Sequence, residues 1–170
     1  MSAALSLVYL KTKEPIERVA KEKEKNAIEQ VVPVFDNDPA SSVSEIEGLK
    51  IYTLKNKEQI IGYAVRTYTS KGFAGNIELI AGFLPDGSIF NTIVLQHKET
   101  PGLGTKMLES KFKDQFMGKN PGTFPLMVRK DGGQVDAITA ATISSRAYCD
   151  AIQRAYDALQ AIDNSSGATQ

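Results

Sequence analysis

The sequence predicts an α+β domain: an antiparallel sheet core with N-terminal and C-terminal helices. Four central segments, residues 49–54, 59–68, 77–83 and 89–96, are rich in the β-branched and aromatic side chains typical of strands. Residues 143–162 instead carry apolar side chains at helical spacing. Because the strands follow one another without intervening helices, they are expected to pair antiparallel, with the helices segregated at the ends of the chain.

Short connections between these segments support the strand assignment. Lys-Asn-Lys-Glu at 55–58 separates the first two segments, and Pro-Asp-Gly-Ser at 85–88 separates the last two. The second of these is a strong hairpin signal, since each of its residue types favours a tight turn. Residues 69–76, between the second and third segments, form a glycine-bearing loop.

The regions outside the four strands have weaker patterns. Residues 33–47 form a turn-rich connection before the first strand. After the last strand, Gly102 and Gly104 interrupt the chain ahead of a predicted helix at 106–115, and residues 126–128 are predicted to form a short strand. The C-terminal helix has the clearest pattern. Its apolar stripe is made of Ile143, Ala147, Tyr148, Ala151, Ile152, Ala155, Leu159 and Ile162.

The two chain termini divide the sequence into three predicted parts. Residues 15–162 form the domain, beginning with a very polar helix whose first turn accommodates Pro15. Residues 3–10 are apolar and are followed at once by charged residues, so residues 1–14 are interpreted as the remnant of a membrane anchor and its juxtamembrane segment. A buried N-terminal helix is the alternative, because the run is too short to cross a bilayer by itself. Residues 163–170 are small and polar and are predicted to be a disordered tail.

Composition excludes several classes of function. Twenty basic and twenty acidic residues cancel, and no basic stripe carries interleaved aromatic residues, so nucleic-acid binding is not expected. Cys149 and His97 are the only residues of their types, which excludes an internal disulfide and any metal site built from several cysteines or histidines. We therefore predict no metal centre.

Residues 136–145, which lead into the C-terminal helix, are suited to binding phosphate. A helix N-terminus offers unpaired N–H groups and a partial positive charge. Thr139 is predicted as the N-cap, and Ala140 and Ala141 are small enough to let a ligand approach the backbone. Thr142 adds a hydroxyl in the first turn. An ordinary capped helix start, without a ligand, would have the same composition.

The same stretch resembles the flavinylation motif of the FMN-binding domain family, which reads Asp-x-x-Ser/Thr-Gly-Ala-Ser/Thr. Asp136, Thr139, Ala141 and Thr142 match, while Ala140 stands where the family usually has glycine. The resemblance implies the FMN-binding domain fold, with covalent FMN attached through a phosphoester to Thr142 by a dedicated flavin transferase. Glycine's freedom of backbone conformation makes the alanine a departure that could affect attachment.

A second copy of the short motif lies in the tail. Residues 163–169 read Asp-Asn-Ser-Ser-Gly-Ala-Thr, with the usual glycine and with Thr169 in the attachment position. The copy ends one residue from the end of the sequence and has no helix or core after it to support a flavin. We interpret it as a chance match of small polar residues, with Thr169 as the rival attachment site.

A second motif of the family lies roughly forty residues before the first. The segment Glu-Thr-Pro-Gly-Leu-Gly at 99–104 resembles the G subunit of the Rnf ion-translocating electron-transport complex, and also the related C subunit of the sodium-pumping NADH:quinone reductase. The loop around Gly72 and Phe73 resembles another family segment near the flavin. By this resemblance the residues expected to lie around the flavin are His97, Glu99, Thr100, Gly102, Leu103, Gly104, Gly72 and Phe73.

The resemblance implies an electron carrier without catalytic residues of its own. Its partners would be the other subunits of an Rnf-type membrane complex, with the domain facing the periplasm on a single N-terminal anchor in the inner membrane. Two alternatives remain open: a non-redox flavin-binding sensor or assembly module, and a hydrolase that uses His97. The sequence contains no Gly-x-Ser-x-Gly motif of the kind that many hydrolases use to present a nucleophile.

Overall fold

A five-stranded antiparallel sheet forms the centre of the protein, with its strands in chain order. The computed structural model describes the backbone of residues 2–167 and the side chains of residues 17–162. Each strand pairs with the next along the chain. The strands are β1 (Val43–Ile46), β2 (Leu49–Asn56), β3 (Gln59–Thr69), β4 (Ile77–Phe83) and β5 (Ile89–Gln96).

Two long helices and several short ones complete the fold. They are α1 (Ser2–Val31), α2 (Ser110–Lys113) and α3 (Thr142–Gly167), with 3₁₀ turns at Pro39–Ser42, Gly104–Leu108, Asp114–Phe116 and Arg129–Asp131. The predicted α+β class and all four predicted strands are confirmed. Strand β1 lies in the region interpreted as a connection, and it was missed because its pattern of polar and apolar residues is too short to distinguish from a loop.

Several other predicted elements differ from the structure. The predicted helix at 106–115 is divided into two 3₁₀ turns and one turn of α-helix, and the predicted strand at 126–128 is reduced to a single bridge between Val128 and Val135. Helix α1 begins at Ser2 rather than at Pro15. Helix α3 continues to Gly167, and residues 168–170 of the predicted tail lie outside the described residues.

The sheet separates two hydrophobic cores because alternate side chains of a strand point to opposite faces. On β2, Ile51 packs toward α3, whereas Tyr52 and Leu54 pack toward α1. On β4, Leu79 and Ile80 divide in the same way. The result is a three-layer arrangement in which the sheet lies between the end of α1 and the part of α3 up to Ile162.

Helix α1 is fixed to its face of the sheet by close backbone packing and by charge. A Cβ atom added to Gly82 would overlap the carbonyl oxygen of Val31, so only glycine permits this approach. Arg66 on β3 contacts Glu24 of α1 and Glu78 of β4, each at 3.0 Å. The Tyr52 hydroxyl donates to the other oxygen of Glu24 at 2.6 Å.

Helix α3 is fixed to the opposite face by buried polar contacts within an apolar core. The Thr67 hydroxyl donates to the carbonyl oxygen of Ala151 at 3.0 Å, and the hydroxyls of Thr92 and Tyr148 lie 2.6 Å apart. Cys149 is buried beside them, and this burial raises the pKa of its thiol to about 12. The thiol therefore stays protonated near neutral pH, which makes a structural role more consistent with its surroundings than a reactive one.

The N-terminal anchor prediction falls on residues 1–14, none of whose side chains is described. Within the described residues, no helix combines the length and the apolar character that a membrane crossing requires. From Lys23 onward α1 contacts the domain directly, since the Lys23 ammonium donates to the carbonyl oxygen of Leu95.

Replacement of Gly82 by alanine tests the packing of α1. We expect Gly82→Ala to lower the free energy of unfolding by about 3 kcal/mol, because the methyl group must displace the end of α1. Gly48→Ala is the matched control: its methyl group would contact nothing, and only the left-handed φ of +76° is penalised, by about 1 kcal/mol. Urea unfolding measures both. Equal losses would contradict the close approach of α1 to β4.

Candidate functional site

A cleft of about 320 Å³ opens beside the N-terminus of α3. One wall is the turn that follows β5, the other is the start of α3, and Phe73 contributes from the loop between β3 and β4. The lining residues are Phe73, Glu99, Thr100, Leu103, Gly104, Ala140, Ala141, Thr142, Ile143 and Ser144. The structure therefore brings together most of the residues that the two sequence motifs indicated.

The start of α3 is set by a turn with an unusual alanine. The Ala141 N–H donates to the carbonyl oxygen of Ile138 at 3.0 Å, which closes a four-residue turn with Ala140 in its third position. Ala140 has a φ of +61°, as that position of a type II turn requires. Glycine reaches this conformation without the steric penalty that a Cβ atom imposes. The glycine usual in the family motif therefore has a structural reason at this position.

The predicted N-cap is wrong. Thr139 lies within the turn and is exposed, while the helix begins at Thr142. Ser145 instead links the turn to the helix. Its hydroxyl accepts from the Ile138 N–H at 2.9 Å and donates to the carbonyl oxygen of Ala141 at 3.0 Å. The helix thus starts two residues later than expected, because the turn precedes it.

The first turn of α3 suits an anionic group. The first N–H groups of a helix lack partners within it, and the helix dipole adds partial positive charge there. Thr142 is the first helical residue, is only half-buried and lines the cleft. Its hydroxyl therefore stands where a phosphate could be attached while the phosphate oxygens accept from backbone N–H groups.

The opposite wall is a rigid turn. The Leu103 N–H donates to the carbonyl oxygen of Thr100 at 3.2 Å, and the Gly102 N–H donates to the hydroxyl of Thr105 at 2.9 Å. Gly102 has a φ of +74°, which glycine tolerates best. The side chains of Leu103 and Phe73 remain 40% and 67% exposed, so the cleft mouth offers apolar surface to a flat ring.

Glu99 joins three separate segments at the base of the cleft. It is only 4% exposed. One carboxylate oxygen accepts from the Ala74 N–H at 3.1 Å, and the other accepts from the hydroxyl of Ser144 in α3. The loop between β3 and β4, the turn after β5 and the first turn of α3 are therefore held together through one side chain.

Two glycines make room for this carboxylate. A Cβ atom on Gly72 would lie 2.7 Å from one oxygen of Glu99, and a Cβ atom on Gly104 would lie 2.7 Å from the other. At Gly104 the added atom would also come within 2.8 Å of the Ser144 hydroxyl. Both glycines are thus required by close approach, which the sequence pattern alone did not reveal.

Five residues expected around the ligand do not line the cleft: Gly72, His97, Gly102, Asp136 and Thr139. His97 lies behind it, where its Nδ1 atom accepts from the Glu99 N–H at 3.2 Å. Asp136 and Thr139 face a separate groove of about 270 Å³ on the other side of the turn. Asp136 is exposed there and pairs with Arg129 at 2.6 Å. These residues therefore lie outside the cleft surface.

The structure adds two cleft residues to those predicted for the flavin site. Ile143 had been assigned to the buried stripe of α3, but it is 47% exposed and lines the cleft. In the first turn of α3, Thr142 and Ile143 are turned toward the cleft and solvent, whereas Ser144 and Ser145 are buried. The Ser144 hydroxyl donates to Glu99. Among the described residues, no group of acidic, histidine or cysteine side chains could hold a metal ion.

A family model and several relatives match this chain. The family model of the FMN-binding domain matches residues 72–157, which include the cleft. The G subunit of the ion-translocating oxidoreductase complex of Erwinia tasmaniensis is 34% identical, over 84% of this chain and 75% of the relative. The G subunit of the Na(+)-translocating ferredoxin:NAD(+) oxidoreductase complex of Acetobacterium woodii is 30% identical, over 94% of this chain and 84% of the relative.

A solved structure has the same fold. The C subunit of the Na(+)-translocating NADH-quinone reductase from Parabacteroides distasonis superposes with a TM-score of 0.54 at 17% identity. The match covers 81% of this chain and 79% of that chain. At this level of identity the likeness concerns the arrangement of helices and strands, and it agrees with the five-stranded sheet and its flanking helices.

Substitution of Ala140 tests the strained turn. We expect Ala140→Gly to raise the free energy of unfolding by roughly 0.5–1 kcal/mol, since relief of the left-handed alanine outweighs the entropy that glycine adds to the unfolded chain. Ala137→Gly, in the same loop but without a positive φ, should instead lower the free energy of unfolding. Urea unfolding measures the free energy of unfolding of both variants. Destabilisation by Ala140→Gly would contradict the turn geometry.

Proposed function

Since the chain belongs to the FMN-binding domain family, we propose that it is an electron-carrying flavoprotein subunit with FMN joined to Thr142 through a phosphoester. The observation that carries the proposal is the position of Thr142. Its hydroxyl lies at the N-terminus of α3 and on the wall of a cleft large enough to receive part of a flat ring. A phosphate attached there would accept hydrogen bonds from the first turn of the helix.

The cleft residues would hold the two ends of FMN in different ways. Leu103, Phe73 and Ile143 offer apolar surface on which an isoalloxazine ring can lie. Thr100 brings a hydroxyl to the same cleft and can orient polar atoms at the ring edge. When bound, FMN supplies the redox chemistry, and the protein determines the position of the ring and its electrostatic surroundings.

Attachment requires a separate enzyme because a threonine hydroxyl is a weak nucleophile unless a neighbouring base activates it. Thr142 has no histidine or lysine beside it in the cleft. In the net reaction the Thr142 oxygen becomes bonded to the phosphorus of FMN, and one water is lost relative to free FMN. We propose that a flavin transferase performs this step, and that the exposed turn at Thr139 and Ala140 lets the enzyme reach the hydroxyl.

The proposed setting is a membrane complex of the Rnf type. The relatives are named as G subunits of ion-translocating oxidoreductase complexes. By analogy, the partners of this chain would be the other subunits of such a complex, and electrons would pass to and from its flavin. Its role would be electron carriage between subunits rather than turnover of a small substrate, so Thr142 is an attachment point and no side chain is assigned a catalytic role.

Mass analysis of the Thr142 peptide tests the attachment. The protein is produced together with a flavin transferase and then denatured. We expect the mass of FMN less one water on the peptide that contains Thr142. Thr142→Ala should abolish this mass, because no oxygen remains to form the ester, and Thr142→Ser should retain it.

Three further results distinguish attachment at Thr142 from the alternatives. Flavin that persists in Thr142→Ala but disappears in Thr169→Ala would move attachment to the tail, outside the described residues. Protein made without the transferase should carry no covalent flavin. Reduction of the attached flavin followed by its reoxidation by an electron acceptor supports the carrier, whereas flavin that cannot pass electrons on would favour the non-redox sensor or assembly module.

The location of the domain is a separate part of the proposal. The apolar residues 3–10 and the charges that follow them favour the remnant of an N-terminal anchor at residues 1–14, without determining which side of the membrane the domain faces. The inner membrane and the periplasmic side for the domain of residues 15–162 are what the resemblance to the Rnf G subunit implies. In cells whose outer membrane has been removed, protease added outside should digest the domain. Digestion only after the inner membrane is broken would place the domain in the cytoplasm.

A further inference from the structure

Glu99 combines burial, negative charge and a place on the cleft wall. It is 4% exposed, yet it forms no ion pair with any lysine, arginine or histidine among residues 17–162, whose side chains are described. A buried charge without a counterion is costly unless hydrogen bonds compensate for the lost water. Two hydrogen bonds do so here, from the Ala74 N–H and the Ser144 hydroxyl.

Both carboxylate oxygens of Glu99 have a hydrogen-bond partner. One accepts from the Ala74 N–H and the other from the Ser144 hydroxyl. His97 approaches only the backbone N–H of Glu99, so its ring does not pair with the carboxylate. The carboxylate is therefore held in the cleft wall by hydrogen bonds from two other segments of the chain.

We infer that Glu99 is a positioning residue whose fixed negative charge lowers the midpoint reduction potential of the flavin. The inference rests on the function proposed above. Electrons added to a ring in this cleft would be placed near an existing negative charge, and the repulsion is only weakly screened where water is excluded. In reduction the electrons come from the donor and the protons from water, and Glu99 acts only through its electrostatic field.

Replacement by glutamine separates the charge of Glu99 from its shape. In Glu99→Gln the amide oxygen can still accept from the Ala74 N–H. The amide NH₂ group can donate to Ser144, because a serine hydroxyl rotates to act as either donor or acceptor. The close contacts of Gly72 and Gly104 are also preserved, since glutamine has the same shape as glutamate. The variant therefore removes the charge with little change in the hydrogen bonds to Ala74 and Ser144.

Glu109 provides a matched control for the loss of one negative charge. It is exposed and lines the separate groove beyond the turn that contains Ala140, rather than the cleft. Charges in contact with water are strongly screened at ordinary ionic strength. Glu109→Gln changes the net charge of the protein as much as Glu99→Gln does, without altering the field inside the cleft.

The experiment is a redox titration of the flavinylated proteins with dithionite as reductant, in which the flavin absorbance is recorded against the measured solution potential. Peptide mass first verifies that each protein carries FMN on Thr142. We expect the midpoint potential of Glu99→Gln to shift to a more positive value than that of the parent protein, with no shift in Glu109→Gln. An unchanged potential in Glu99→Gln, or equal shifts in both variants, would overturn the inference.

Two further measurements separate charge from geometry. Amide hydrogen exchange at Ala74 in the flavin-free proteins should remain as slow in Glu99→Gln as in the parent. Glu99→Asp keeps the charge, so its potential should stay nearer to the parent value than that of Glu99→Gln. A shift as large as the glutamine shift would overturn the inference. If Glu99→Gln folds but does not accept flavin, the inference is overturned as well. The proposed function is judged separately, since it depends only on FMN being found on Thr142 of the parent protein.

Discussion

The buried carboxylate of Glu99 is the interaction on which the site depends. It accepts from Ala74 and Ser144, so a loop, a turn and a helix meet through one side chain. Gly104 follows from it, because a side chain there would collide with Glu99 and Ser144, and Gly72 is required both by the carboxylate and by the carbonyl oxygen of Gly75. The cleft beside Thr142 thus owes its shape to a hydrogen-bonded charge at its base rather than to apolar packing alone.

The sheet was predictable from local sequence, whereas the start of α3 was not. Strands β4 and β5 have the expected bounds because β-branched residues between strong turn signals define them. The helix start was misplaced because the left-handed Ala140 leaves no trace in composition. The predicted helix after Gly104 was broken into short turns, as Met107, Phe112 and Phe116 are each directed into the core.

The candidate site was only partly visible for a similar reason. The two motifs indicated Thr142 and the segment of Glu99 to Gly104, but not how they meet. Glu99 and Ser144 are 45 positions apart, and no periodicity joins them. Asp136 matches the motif but faces another groove, so a motif position need not be a cleft position. Only the packing of α3 across the sheet brings the two motifs to one place.

The order of the strands has a consequence for when the site forms. Each strand pairs with its neighbour in the chain, so the sheet can assemble through short loop closures as the chain emerges. The wall that contains Thr142 belongs to the last element and completes the cleft only when α3 docks. Under the function proposed here, cofactor attachment would follow folding, with the folded domain rather than a nascent peptide as the substrate of the flavin transferase.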